Sequence, residues 1–173
     1  GNRKEIWFCD EVYTYESANG FEQHWPASEE NMWMTGADVE KFFAANGDTL
    51  SLESISVRLY NDHVPLYFWL FRIVSCFGFP ESGSVWIGLG INLAFYLVLV
   101  AIVYRVFAKL TDSPLFAGGV VILTCVVNRL MLNQATMVRM YMLFLLEAVL
   151  LLGAGLRILK SVEDKRLNLG NFV

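Results

Sequence analysis

Charge is scarce in this chain. Only 17% of its residues are Asp, Glu, Lys or Arg, against 55% hydrophobic and a mean hydropathy of +0.46, so an ordinary soluble domain is not the expected class. Cysteine is scarce as well. Cys9, Cys76 and Cys125 are an odd number without metal-type spacing, so no disulfide framework is implied. Cys76 and Cys125 sit in apolar runs and read as packing residues. Internal repeats and low-complexity stretches are missing. Neither an initiator Met nor a signal peptide precedes the polar N-terminal third, which leads us to expect a further span upstream.

What charge there is lies unevenly. Residues 1–63 hold twelve acidic side chains against four basic ones, a net charge of about −8, whereas the remainder is apolar and net positive. An overall pI near 5.2 therefore averages two unlike parts, and nucleic acid is not an expected partner.

Three runs are long enough to cross a bilayer, which takes roughly 17–25 apolar residues. They cover residues 85–104, 115–131 and 137–159, the middle one interrupted near its end by Asn128 and Arg129. A fourth run, 65–79, is short and carries Arg72, so it reads as an interfacial helix. Arg105 and Lys109 follow the first span; Arg157, Lys160, Lys165 and Arg166 follow the third. By the positive-inside rule both ends are cytoplasmic. Residues 1–84 and the connection at 132–136 then share the external face.

The expected fold class is therefore an all-α integral membrane protein, multi-pass in the cell membrane. It divides into an acidic external loop with short helices (1–63), a juxtamembrane interfacial helix (64–80) and three transmembrane helices with a cytoplasmic tail (85–173). Within the loop, the pattern predicts helices over 11–19, 37–45 and from about 51 to 60, with Asn19-Gly20 and Asn46-Gly47-Asp48 as breaks. Thr111-Asp112-Ser113-Pro114 reads as a tight turn with Pro114 at the first helical position. Asn133-Gln134-Ala135-Thr136 reads as the external connection between the second and third spans, a turn or a helix break.

Three polar clusters fall at the edges of apolar segments: Asp10-Glu11, Asp62-His63 and Arg139-Met140-Tyr141. Singly, each has an ordinary explanation as a solvated loop acid, a helix-capping histidine or a snorkelling anchor. Together on one face they offer a carboxylate for general-base work and a His–Arg pair for a phosphate. Such a site predicts Asp10 within roughly 10 Å of Arg139 and His63, the span of a sugar phosphate. Glu147 lies deeper in the third span and faces other helices on this reading, where a structural partner suits it better than catalysis.

These residues resemble a known family. Asp10-Glu11-Val12-Tyr13 looks like the Asp-Glu signature in the first external loop of large membrane glycosyltransferases of the GT-C fold. Asp62-His63-Val64-Pro65-Leu66-Tyr67-Phe68 resembles their Asp-His-Pro-Pro-Leu-Tyr-Tyr element, with Val64 at the first of its two prolines. Gln134-Ala135-Thr136-Met137-Val138-Arg139-Met140-Tyr141 is similar to their Gln-Glu-Ala-Arg-Met-Tyr element, with its glutamate missing. The nearest subgroup is the bacterial family 39 type, similar to the dolichyl-phosphate-mannose–protein mannosyltransferases. Three spans enclose only part of a donor cavity, so the chain is read as the N-terminal part of such an enzyme, a partial GT-C fold.

The resemblance implies an inverting hexosyltransferase. It would move a sugar from a polyprenyl-phosphate donor to a protein, lipid or glycan acceptor outside the membrane. Asp10 would take the acceptor's proton, with Glu11 beside it holding the acceptor or a cation. Arg139 and His63, with Tyr141 and Gln134, would bind the donor phosphate. No cofactor is fixed by the resemblance; a divalent cation on Asp10, Glu11 and His63 is compatible with the ligand types, although their spacing does not fix it. The rival reading is a non-enzymatic membrane protein, a transporter subunit or assembly factor, whose acidic loop binds a partner.

Overall fold

The structure, a computed structural model, describes residues 9–19, 35–36, 43–45, 52–59, 64–78 and 84–170. These fold as α1 (Cys9–Asn19), α2 (Leu52–Arg58), α3 (Leu66–Gly78), α4 (Val85–Thr111), α5 (Pro114–Val121) continued by a π-helical turn (Ile122–Val126), α6 (Arg129–Thr136) and α7 (Tyr141–Gly170). No strand occurs among the described residues. The helix expected over 37–45 falls almost wholly outside them.

Among the described residues, two helices are long and apolar enough to cross a membrane: α4, and the first part of α7 over Tyr141–Val162. Helix α4 begins where the Ser84 hydroxyl accepts the Trp86 N–H at 3.4 Å. It ends at Asp112, whose φ of 49° lies in the left-handed region that a short polar side chain tolerates. Ser113 then caps α5 by accepting the Phe116 N–H at 3.3 Å, with Pro114 in the first turn as the sequence predicts. One helix stop and one helix start in succession reverse the chain. Helix α5 therefore packs antiparallel to α4, and the Tyr96 hydroxyl donates to the Cys125 carbonyl at 3.1 Å across the pair.

The third candidate span is bent by 60° between Pro114–Val126 and Arg129–Thr136, which makes it a broken span or a re-entrant loop. The cause is local. The Val127 N–H reaches back to the Ile122 carbonyl at 2.8 Å, the wide π-type bond, and Asn128 then turns extended. Its side-chain oxygen accepts the N–H groups of Leu130 and Met131, so it starts a new helix. The run expected over 115–131, interrupted by Asn128 and Arg129, is thus broken at Asn128. The turn or helix break expected at 133–136 is displaced, since those residues complete α6. The chain leaves helix instead at 137–140, and the last long helix starts at Tyr141, four residues later than its apolar run suggests.

Helices α4 and α7 run parallel. Gly88 and Val138 meet at one end, and Leu99 packs with Met142 and Leu146 further along. The N-terminal ends of both long helices thus lie together. Against that end pack α1 and α3, joined by a core of Tyr15, Ala18, Tyr67, Phe68, Phe71, Ile87 and Val138. Tyr15 meets the Phe71 ring edge-on at 4.7 Å between centroids. At 13 residues, or about 20 Å, α3 is too short to span a bilayer core of about 30 Å. Its Arg72 is buried and donates to the Asn19 carbonyl at 3.1 Å, tying α3 to the end of α1.

Candidate functional site

The non-helical segment 137–140, between α6 and α7, is held by side chains from three other helices. From α1, a Glu11 carboxylate oxygen accepts the Val138 N–H at 2.8 Å, and Glu11 is fully buried. From α4, the Asn92 amide nitrogen donates to the Met137 carbonyl, which also accepts the Arg139 N–H at 2.8 Å. From α3, the Tyr67 hydroxyl donates to the Asn92 oxygen at 3.1 Å. Backbone groups that leave a helix must find partners when buried, and here they are supplied from outside the helix.

Arg139 sits within this segment, 7% exposed. One terminal nitrogen, Nη1, donates to the Asp10 carbonyl at 3.1 Å; the other, Nη2, lies 3.9 Å from Asp10 Oδ2. At that distance, and with the Asp10 side chain 43% exposed, the ion pair contributes at most about 1 kcal/mol. The guanidinium also lies 5.8 Å from the centre of the Tyr141 ring. Its Nε–H is buried and has no hydrogen-bond partner among the described residues.

Asp10, Glu11, Arg139 and Tyr141 therefore come together, and Asp10 meets Arg139 well inside the predicted distance. Gln134 lies on α6, with its buried side-chain oxygen unpartnered among the described residues. His63 and Asp62 lie outside the described residues. Among the described residues no three His, Cys, Asp or Glu side chains gather as metal ligands, and the suggested Asp10–Glu11–His63 set reaches beyond them. Glu147 is half-buried on α7.

Two tyrosines brace the same end. The Tyr15 hydroxyl donates to the Ser84 carbonyl at 2.7 Å, joining α1 to the start of α4. Burial pushes the phenols of Tyr15 and Tyr67 well above the ordinary tyrosine range, so both remain protonated donors. Sequence reasoning passed over Asn92, and took Tyr67 only as part of the Asp62–Phe68 element. The available signal was an amide inside an otherwise apolar span, which is costly unless hydrogen-bonded.

Among the described residues the protein is all-helical, with two or three helices able to cross a membrane. No protein-family model, curated protein or solved structure matches the chain.

Proposed function

We propose that this chain belongs to a polyprenyl-phosphate-dependent glycosyltransferase of the GT-C type, multi-pass in the cell membrane, with residues 1–84 on the outer face. The observation that carries this reading is the arrangement at Arg139. A buried guanidinium faces a half-exposed carboxylate, has one N–H without a partner among the described residues, and stands just before the N-terminus of a long helix. An unpaired buried donor costs about 1–3 kcal/mol, a cost that an arriving phosphate oxygen would remove. The helix N-terminus favours the same negative charge.

In the proposed reaction, Asp10 accepts the proton of an acceptor hydroxyl as that oxygen bonds to the anomeric carbon. The bond from that carbon to the phosphate oxygen breaks on the opposite side, giving inversion and a free polyprenyl phosphate. Arg139 meets the charge that grows on the leaving phosphate. When the donor binds, its phosphate takes over Arg139 and frees Asp10 for the acceptor. Glu11, with an oxygen already bonded to Val138, positions the segment rather than touching substrate.

A second reading has its own support. The Asp10 and Glu11 contacts also serve as a lock between α1 and the break, which a transporter subunit or assembly factor would equally need. Sugar transfer from a polyprenyl-phosphate donor, assayed with membranes containing the wild type, Asp10→Asn or Arg139→Lys, separates the two. The transferase reading requires wild-type transfer that both variants lose; the lock reading requires none from any.

A further inference from the structure

We infer that Asn92 is a positioning residue: held by Tyr67, it fixes the 137–140 segment and so the aim of Arg139. This rests on Arg139 being the anion-binding group proposed above. Asn92 is fully buried in α4 between Ile91 and Leu93, where an amide without partners would be expensive. Its orientation is forced. The Met137 carbonyl can only accept, so the amide nitrogen must face it, and the amide oxygen is left to receive the Tyr67 hydroxyl.

The bond falls where it has leverage. Met137's carbonyl anchors both Asn92 and the Arg139 N–H, while Glu11 holds the Val138 N–H between them. Two of these groups, the Met137 carbonyl and the Val138 N–H, are thus held from outside; the Arg139 N–H is held by the first, and the guanidinium is carried on that third residue. Releasing the Asn92 bond frees the carbonyl end of this clamp without removing any group that would touch substrate.

The test uses Asn92→Leu, which keeps volume and suits an apolar span, and Tyr67→Phe, which leaves the amide in place but removes its orienting donor. Both are made in the full protein in lipid nanodiscs. Amide hydrogen exchange should rise at 137–140 in Asn92→Leu, and less in Tyr67→Phe, with α4 and α7 protection unchanged. Transfer from a radiolabelled polyprenyl-phosphate sugar should fall about 10- to 100-fold in Asn92→Leu, as misplacement of a catalytic group does. In an Arg139→Ala background the same change should cost less than about twofold, because Asn92 acts through Arg139. Unchanged exchange at 137–140, or losses that multiply in the double variant, would overturn the inference. A wild type with no transfer would instead remove the glycosyltransferase reading, leaving the exchange measurement to decide whether Asn92 holds the segment.

Discussion

Glu11 and Val138 lie 127 positions apart, and the carboxylate of the first accepts the backbone N–H of the second at 2.8 Å in a fully buried setting. This bond closes the described fold on itself, from the first helix to the break before the last. Glu11→Ala would leave the Val138 N–H buried and unpaired, at a cost of about 1–3 kcal/mol. Glu11→Gln keeps a carbonyl oxygen at the same reach and should cost less. Thermal unfolding of detergent-solubilised protein should rank wild type above Gln and Gln above Ala. Equal melting temperatures for all three would show that the bond does not support the fold.

Gly88 gives the second prediction. A Cβ added there would come 2.0 Å from the Val138 Cγ1, far inside contact distance, so one helix or the segment must shift. Overpacking of this kind costs about 1–3 kcal/mol. Gly88→Ala should lower the melting temperature and raise exchange at 137–140, and Val138→Ala added to it should restore both. A Gly88→Ala protein that melts like wild type would contradict the close approach of α4 to the break.

Alkali should weaken the junction. Burial raises the phenol pKa of Tyr15 and of Tyr67 above the ordinary value of 10.0. Below that value both states are protonated and the contribution is fully present. Above it the unfolded chain ionises while the folded one does not, so stability falls as pH rises from 10 toward the raised value. Melting temperatures followed upward through that window should drop, and the drop should shrink in a Tyr15→Phe/Tyr67→Phe variant. The same slope in both proteins would assign the loss to other groups, such as lysines.

Much of this architecture is legible in the residues. Apolar length alone marks α4 and α7, and Ser113-Pro114 announces the start of α5. The meeting of Asp10 with Arg139 agrees with the expectation that the loop acid and the start of the last span lie on one face. The interruption at Asn128 is legible too, but that its side chain caps a new helix is harder to read, because a hydropathy window averages over such a cap. Glu11 is harder still. Adjacent acids suggest a wet loop, and its partner is a backbone N–H, which every non-proline residue carries and no pattern distinguishes. Asn92 was visible as an amide in an apolar run, but the carbonyl it serves exists only because the chain unwinds at 137–140.

The most direct test of the central claim is sugar transfer by the Asp10→Asn protein in its own membrane, with a polyprenyl-phosphate donor. The backbone carbonyl of Asp10, which the substitution keeps, still accepts from Arg139, so the junction should survive and its exchange pattern should match wild type. A general base accounts for about 10²- to 10⁴-fold of rate, and transfer should fall within that range. Transfer at the wild-type rate by Asp10→Asn would contradict the account.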